Sequence, residues 1–334
     1  MDKQRQLSSL TVVVPFYNEQ GGVLAFYEQT CAALDQLHFA YNFVFVDDGS
    51  TDDTLRLLNT LADRDSRVTV LSLTRNFGHQ AALTAGLDHA GGEAVVTMDG
   101  DLQHPPAAIA DLVRAYEAGA EVVYAVRANE DHRSWAKKST ARIFYRLLKR
   151  LTRIDIISGA MDFRLMSRPA VESLRQMRET HRYLRGMVPW MGFSYQIVYY
   201  QEAERFADRS KYTWTKMLRL ARYGFFSFST GALDLITLLG LALTGLAMLY
   251  LIYALVVWAF FHETVPGWTS VIAVLLVVSG VQLISVGILA QYIGMIFEEV
   301  KGRPLYLLKQ KRLAQDRPPE AQPDYDGATM QPED

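Results

Sequence analysis

The stretch Thr97-Met98-Asp99-Gly100-Asp101-Leu102-Gln103-His104-Pro105-Pro106 follows a short apolar run at residues 94–96. The run predicts a buried strand and the polar stretch a loop at its carboxyl end, which is where open α/β sheets bind ligands. Two carboxylates one residue apart, with the Gln103 amide beside them, offer oxygen ligands that Mg²⁺ or Mn²⁺ usually shares with substrate phosphates. The alternative interpretation is an Asp-rich turn that caps the next helix.

Strands and helices alternate on both sides of this stretch. Four more apolar runs, rich in β-branched residues, predict strands at residues 10–15, 42–46, 68–73 and 121–126. Helical patterns follow the first three; one extends to about Leu37, and Ser50 or Thr51 can cap the second. This alternation predicts an α/β fold with a mostly parallel sheet and right-handed crossovers.

The predicted strands end in polar clusters, and the carboxyl ends of parallel strands lie on one edge of a sheet. Glu19 follows the first strand, and Asp47 and Asp48 follow the second. Such carboxylates can accept hydrogen bonds from a nucleobase or a ribose. The first turn lacks the G-x-G-x-x-G pattern of dinucleotide cofactor sites, and the Walker lysine motif is also absent, which disfavours a dehydrogenase or a P-loop enzyme.

Hydrophobicity and charge divide the chain of 334 residues into two regions. Up to about Met217 the pattern is that of a soluble α/β domain, whereas residues 235–261 and 271–297 contain no Lys or Arg. Each segment exceeds the roughly 20 apolar residues that cross a bilayer, so two transmembrane helices are predicted. Basic residues flank both outer ends, which predicts that both termini and the α/β domain lie in the cytoplasm and that the chain is a multi-pass inner (plasma) membrane protein. The net charge of −2 gives no reason to expect a nucleic-acid partner.

These features predict four consecutive regions. They are a cytoplasmic domain at 1–212, an interfacial amphipathic linker at 213–230, the membrane region at 231–300, and a cytoplasmic tail at 301–334. The tail is expected to be disordered from about residue 317, where prolines and acids concentrate. Gly280, Gly287 and Gly294 recur every seventh residue, so small residues line one face of the second helix. Another helix could approach that face, from the same hairpin or from a second copy in a homo-oligomer.

Five motifs in the same order carry a family resemblance. They are Val14-Pro15-Phe16-Tyr17-Asn18-Glu19, Val46-Asp47-Asp48-Gly49-Ser50, Arg75-Asn76-Phe77-Gly78-His79-Gln80, Asp99-Gly100-Asp101-Leu102-Gln103 and Asp162-Phe163-Arg164-Leu165-Met166-Ser167-Arg168. With the predicted hairpin they resemble family 2 glycosyltransferases of the polyprenyl-phosphate type, over about residues 10–308. The resemblance is nearer to bacterial undecaprenyl-phosphate glucosyltransferases than to dolichyl-phosphate mannosyltransferases.

The resemblance implies a GT-A, Rossmann-like fold and a metal-dependent, inverting transfer of one sugar. The donor would be a nucleotide sugar, UDP-glucose or a related UDP-sugar, and the acceptor undecaprenyl or another polyprenyl phosphate at the cytoplasmic face of the lipid bilayer. The product would serve later glycosylation of the cell envelope, such as lipopolysaccharide modification. The alternatives are a synthase of the dolichyl-phosphate-mannose type that uses GDP-mannose, and a membrane-anchored nucleotide-sugar sensor without catalysis.

The resemblance also implies roles for individual residues. Those expected to bind the nucleotide sugar are Pro15, Tyr17, Glu19, Asp47, Asp48, Asn76, Asp99, Arg205 and Lys211. The metal ligands would be Asp99, Asp101 and Gln103. The acceptor phosphate would meet Arg127, Arg133, Lys137 and Lys138. In the segment that ends in Ser210-Lys211-Tyr212, Asp208 stands where relatives usually have glycine.

The chemistry of the acceptor bears on which residues are catalytic. A phosphomonoester with a second pKa near 6 is largely dianionic at neutral pH, so it can attack the anomeric carbon without a strong general base. The predicted catalytic set is Asp101, Asp162, Arg127 and Arg133. Asp162 is interpreted as a base or as an organiser of the acceptor loop. The alternative is a turn residue that forms a salt bridge with Arg164.

Overall fold

All five predicted strands form in the computed structural model, which describes residues 5–128, 157, 159–201, 231–261 and 267–312. They belong to one sheet of eight strands in the order β7-β5-β6-β4-β1-β2-β3-β8. The strands are β1 (Ser9–Phe16), β2 (Ala40–Asp47), β3 (Val68–Leu73), β4 (Ala94–Thr97), β5 (Val122–Arg127), β6 (Ala160–Ser167), β7 (Tyr195–Tyr200) and β8 (Leu308–Arg312). All are parallel except β6 and β8, so the expectation of a mostly parallel α/β sheet is confirmed.

Helices cover both faces of the sheet. One face carries α1 (Val23–Leu34), α2 (Thr54–Arg64) and α4 (Ile109–Glu117), and the other carries α3 (His79–His89), α5 (Arg168–Gln176) and α6 (Leu184–Trp190). The central strands are apolar on both faces, as in other parallel sheets covered on two sides. In β1, Val12 and Val14 enter one core and Val13 the other. The carboxyl ends of the parallel strands are thereby held rigidly along one edge.

Two strands run against the others, and neither was expected. β6 lies between β4 and β5 and is antiparallel to both, so its first residues reach the edge where its neighbours end. β8 pairs with β3, whose outer edge would otherwise present unpaired backbone groups. Residues 308–312, predicted as part of a tail, therefore belong to the sheet; residues from 313 onward lie outside the described part.

Two helix ends differ from the prediction. The first helix ends at Leu34 rather than near Leu37, and the N-cap of α2 is Asp53 rather than Ser50 or Thr51. The difference at α2 arises because Ser50 and Thr51 form hydrogen bonds with another loop. The Ser50 hydroxyl accepts a hydrogen bond from the backbone N–H of Asn18, and the N–H of Thr51 donates to the Asn18 side chain.

Two long helices, α7 (Gly231–Phe261) and α8 (Trp268–Val300), follow the α/β domain and contact each other. Within the described residues, one helix is long and apolar enough to cross a membrane, Val277–Val300 in α8, and Ile236–Tyr250 in α7 is a shorter apolar segment. The hairpin with spans at 235–261 and 271–297 stays a prediction, as does a homo-oligomer. The linker at 213–230 lies outside the described residues.

The end of α8 is joined to the α/β domain by polar contacts. The backbone N–H of Thr180 donates to Glu299 (2.8 Å), and the Tyr306 hydroxyl donates to Asp88 near the end of α3 (3.0 Å). Asp88 also pairs with Arg178 at 2.9 Å. These contacts, together with β8, fix the end of α8 against the sheet.

Candidate active site

The loops after β1 and β2 are cross-linked at the carboxyl edge of the sheet. Asn18, at φ 53°, exchanges hydrogen bonds with Ser50 and Thr51, and the N–H of Glu19 donates to the Thr54 hydroxyl. Pro15, one residue before the end of β1, is half-buried, while Tyr17 and Glu19 in the loop that follows are exposed. The three residues predicted to hold a nucleotide therefore line one edge.

Asp47 and Asp48 are both buried and both hold loops together. Asp47 accepts hydrogen bonds from the N–H of Ser50 (3.1 Å) and the Ser72 hydroxyl (3.3 Å). Asp48 accepts from the N–H groups of Phe77 and Gly78, at 2.7 and 2.9 Å. Burial raises the pKa of Asp48, although the two N–H donors act in the opposite direction.

The turn between these aspartates and the loop after β3 requires glycine. Gly49 has φ 70°, and a Cβ atom there would lie 2.4 Å from the backbone of Arg75 and 2.6 Å from that of Asn76. This geometry restricts position 49 to glycine. The close approach brings the exposed Asn76 beside the loop that carries Asp47 and Asp48.

The loop after β4 is held in one shape from both sides. The backbone N–H of Asp99 donates to His104 Nδ1 (3.1 Å), and the buried His104 ring stacks on Phe163 at 5.0 Å. Burial lowers the pKa of His104, consistent with a neutral ring that accepts at Nδ1. A Cβ on Gly100 would lie 2.3 Å from the Phe16 ring, so the loop passes directly over the core.

The donor set of this loop fits a hard divalent cation. Asp99 Oδ1 is buried and has no hydrogen-bond partner in the described part of the chain, while Asp101 Oδ1 accepts from the N–H of Gln103 at 3.1 Å. Leu102 has φ 62°, a sparsely populated conformation for a non-glycine residue that turns the loop back on itself. No group of three or more His, Cys, Asp or Glu forms a metal site among the described residues, so a cation here would complete its shell with other oxygens, as Mg²⁺ does with phosphates.

Asp162 lies in β6 and is the centre of a buried charge cluster. Its Oδ1 accepts from Arg164 (2.7 Å), its Oδ2 accepts from Arg185 in α6 (2.8 Å), and His79 Nε2 lies 3.3 Å from Oδ2. Burial alone would raise the pKa of Asp162, but His79 and the two arginines hold it well below its usual value. The predicted pair with Arg164 is confirmed; the prediction of a turn is wrong, because Asp162 belongs to a paired strand.

His79 connects this cluster to the loop after β4. It is the first residue of α3, and its Nε2 also lies 3.4 Å from Asp99 Oδ1. Loss of water around the ring lowers the pKa of His79, but the contact with Asp162 and the charge of Asp99 outweigh that effect and raise it. Asp99 and Asp162, 63 positions apart in the chain, thus share one imidazole.

Of the remaining predicted site residues, Arg127 lies within the described part of the chain. Arg127 ends β5 at the same edge, with Nη2 3.5 Å from the Met161 sulfur and hence beside the start of β6. The others, Arg133, Lys137, Lys138, Arg205 and Lys211, lie outside the described residues.

Three residues in the site had no role in the sequence-based prediction, namely His79, His104 and Arg185, whereas Arg164 entered it only as the alternative partner of Asp162. His79 and Arg164 stand inside two of the quoted motifs and His104 directly follows a third, so the motifs held a signal for them. Arg185 has no motif around it, and only the packing of α6 against β6 brings it to Asp162.

The comparisons with known proteins identify the class to which this α/β domain belongs. The model of "Glycosyl transferase family 2" matches residues 11–175, and the chain belongs to this family of glycosyltransferases, with a GT-A-like fold. The SfII prophage-derived bactoprenol glucosyl transferase of Shigella flexneri is 38% identical over 301 residues, 90% of this chain and 97% of that protein.

The chain is also similar to a second relative and to a solved structure. An uncharacterized glycosyltransferase of Bacillus subtilis, YkcC, is 39% identical over 313 residues, 92% of this chain and 97% of that protein. Among solved structures, a mannosyltransferase from Pyrobaculum calidifontis in complex with GDP-Man and Mn²⁺ is 20% identical, with a TM-score of 0.43. That match covers 65% of this chain and 61% of the mannosyltransferase chain.

Proposed function

We propose that this glycosyltransferase moves one sugar, glucose or a close relative, from a UDP-sugar to a polyprenyl phosphate at the cytoplasmic face of the membrane. The likeness to the Shigella bactoprenol glucosyl transferase over 90% of the chain carries the proposal. The site supports it, because the loop with Asp99 and Asp101 lies beside the cross-linked loops after β1 and β2.

The donor would lie across the carboxyl edge of the sheet. Tyr17 and Glu19 are exposed there for the nucleoside, and Asp47 and Asp48 fix the loops that shape its pocket. Asp99, Asp101 and Gln103 would hold Mg²⁺ or Mn²⁺ against the diphosphate. When bound, such a cation neutralises charge that develops on the leaving group.

The proposed reaction is a single displacement with inversion at the anomeric carbon. A phosphate oxygen of the acceptor dianion forms the new bond to that carbon, while the bond from the carbon to the donor diphosphate breaks and its electron pair leaves with the diphosphate. No proton moves in this step, so no base is needed. Asp162 suits an organising role, because Arg164, Arg185 and His79 occupy its oxygens.

The acceptor lipid would reach the site from the membrane. We propose that α7 and α8 form a two-span hairpin with both termini in the cytoplasm, and that the contacts at Thr180 and Tyr306 keep the sheet close to the bilayer. Arg127, at the end of β5, faces this edge and would meet the acceptor phosphate with Arg133, Lys137 and Lys138. Charge neutralisation and positioning would supply most of the catalysis.

The decisive experiment uses the purified full chain in detergent with undecaprenyl phosphate, Mg²⁺ or Mn²⁺ and a panel of UDP- and GDP-sugars. Lipid-linked sugar is followed by mass spectrometry. We expect product with one UDP-sugar, lost on chelation and in Asp101→Asn, and retained in Asp111→Asn, which changes an exposed acid of α4. Product with GDP-mannose alone would favour the mannose-type synthase. Binding of a UDP-sugar without product from any donor would favour a sensor.

A further inference from the structure

Asp99 lies beside two histidines, one at its backbone and one at its side chain. His104 Nδ1 accepts from its backbone N–H at 3.1 Å, which fixes the main chain of the loop. His79 Nε2 faces its side chain, at 3.4 Å from Oδ1. His104 is buried and packed against Phe163, whereas the His79 side chain is 42% exposed. Core packing therefore does not explain the position of His79.

The backbone around His79 is held as firmly as the loop it faces. Asp48 accepts hydrogen bonds from both residues that precede it, Phe77 and Gly78, and Gly78 has φ 97° where α3 begins. The next residue, Gln80, accepts from the N–H of Leu184 at the start of α6. Three segments that are distant in sequence thus converge to place one imidazole ring.

On its other side, His79 contacts a carboxylate that cannot move. Asp162 is 1% exposed and is fixed by Arg164 and Arg185, at 2.7 and 2.8 Å. His79 Nε2 lies 3.3 Å from Asp162 Oδ2 and 3.4 Å from Asp99 Oδ1, so one ring nitrogen lies between a fixed acid and an acid of the Asp99–Gln103 loop. Asp162, His79 and Asp99 therefore form a continuous series of contacts. Asp162 is fixed by two arginines, and Asp99 at the other end has a buried oxygen.

We propose that His79 is a positioning residue that ties Asp99 to the Asp162 cluster and thereby sets the rotamer of Asp99 for a divalent cation and the donor diphosphate. This inference rests on the proposed function in assigning the cation to Asp99. Outer contacts of this kind orient a ligand carboxylate, and removing them typically weakens metal binding by about 10- to 100-fold.

The test measures Mn²⁺ binding to the purified full chain in the presence of UDP, by electron paramagnetic resonance of free Mn²⁺. His79→Ala should raise the Kd for Mn²⁺ by about tenfold or more. His79→Gln should restore most of the affinity, because the Gln amide nitrogen reaches the position of Nε2, whereas His79→Asn is one bond too short and should not. The control His89→Ala, at the other end of α3, should bind as the wild type does.

The outcomes separate the possibilities. Equal Mn²⁺ affinity in wild type and His79→Ala would overturn the proposal, as would equal affinities in the Gln and Asn variants or a wild-type protein that binds no Mn²⁺ with UDP. If His79→Ala fails to fold, as judged by thermal unfolding, the Gln and Asn pair decides alone. The proposed function fails if no sugar is transferred to lipid. The Mn²⁺ binding measurement does not depend on transfer, so the role of His79 can be tested separately.

Discussion

The loop after β4 and the start of β6 lie at the same edge of the sheet, and each presents an acid to His79. Asp99 in the loop has a buried oxygen without a hydrogen bond in the described residues, and its side chain is 25% exposed. Asp162 in β6 is 1% exposed and contacts His79, Arg164 and Arg185. One acid retains capacity for an external cation, and the other is neutralised internally.

The difference shows that the same residue type serves two purposes within one site. A carboxylate that is to bind a cation must keep oxygens free of protein donors, so few protein contacts restrain its side chain. A buried carboxylate paired with two guanidinium groups is costly to desolvate but rigid once formed. The site combines them, since the rigid acid can restrain the open one through His79. Substitutions at either acid should therefore have different consequences.

The largest effect on stability is expected for Asp162→Asn. The change leaves Arg164, which is 2% exposed, without its counter-charge, and breaking a buried pair in this way costs about 3–5 kcal/mol. Thermal unfolding of the purified protein should show a clearly lower Tm. The control Asp53→Asn removes an exposed pair with Arg56 and should change little. An unchanged Tm for Asp162→Asn would contradict the role of this acid as the anchor of the cluster.

Asp99→Asn should lower the transfer rate and leave the stability unchanged. We expect the transfer rate to fall by about 100-fold or more, equivalent to about 2.7 kcal/mol of lost transition-state stabilisation, because the variant weakens the cation site. The Tm should not fall, since the carboxylate has few protein partners to lose. Initial rates at saturating donor, with Tm measured on the same preparation, test both parts. A variant that is unstable yet active would reverse the assignment of the two acids.

Gly100→Ala tests whether the core beneath the loop fixes its course. The new Cβ would lie 2.3 Å from the Phe16 ring, which is fully buried and packs edge-on against Phe26 and Phe45. Overpacking of this kind typically costs about 1–3 kcal/mol. Gly91→Ala, before the other end of β4, meets nothing within 4 Å and is the matched control. Equal unfolding midpoints for the two variants would show that the loop moves away from Phe16 to accommodate the added methyl group.

Most of the parallel sheet could be predicted from the sequence, because each buried parallel strand is a continuous apolar run. β6 could not, since Asp162 and Arg164 alternate with Phe163 and Leu165 and suggest one exposed face. In the structure all four are buried, as the two charges pair with each other. β8 contains Lys309, Lys311 and Arg312, a composition that does not indicate a strand until the free edge of β3 is known.

The site could be predicted in part, for a related reason. The Asp99-Gly100-Asp101 loop and the acids after β1 and β2 follow directly from polar residues at strand ends, a local pattern. The bridge from Asp99 through His79 to Asp162 joins three separate elements, and no local pattern encodes it. Arg185 enters through α6, which no motif marks. The sequence alone does not predict contacts between residues that only the packing of separate elements brings together.

The smallest expected effect is on the pH dependence of stability. It distinguishes two roles for Asp162, an anchor of the charge cluster and a general base. Its pKa lies well below the usual value because His79 of α3, Arg164 of β6 and Arg185 of α6 face it. Its contribution to stability is therefore fully present above the unfolded-state pKa of about 3.9 and is lost only as the pH falls through the lower folded-state value.

His79 has a raised pKa, so its own contribution is fully present below about pH 6.5 and is lost as the pH rises through the folded-state value. The difference in unfolding free energy between His79→Gln and the double variant His79→Gln/Asp162→Asn, measured with a chelator present, should stay flat from about pH 5 to 6, because the titration of His79 is absent from both proteins. A base at Asp162 with a pKa raised toward neutrality would instead make that difference change steeply across the same range, since the acid would exchange its proton there.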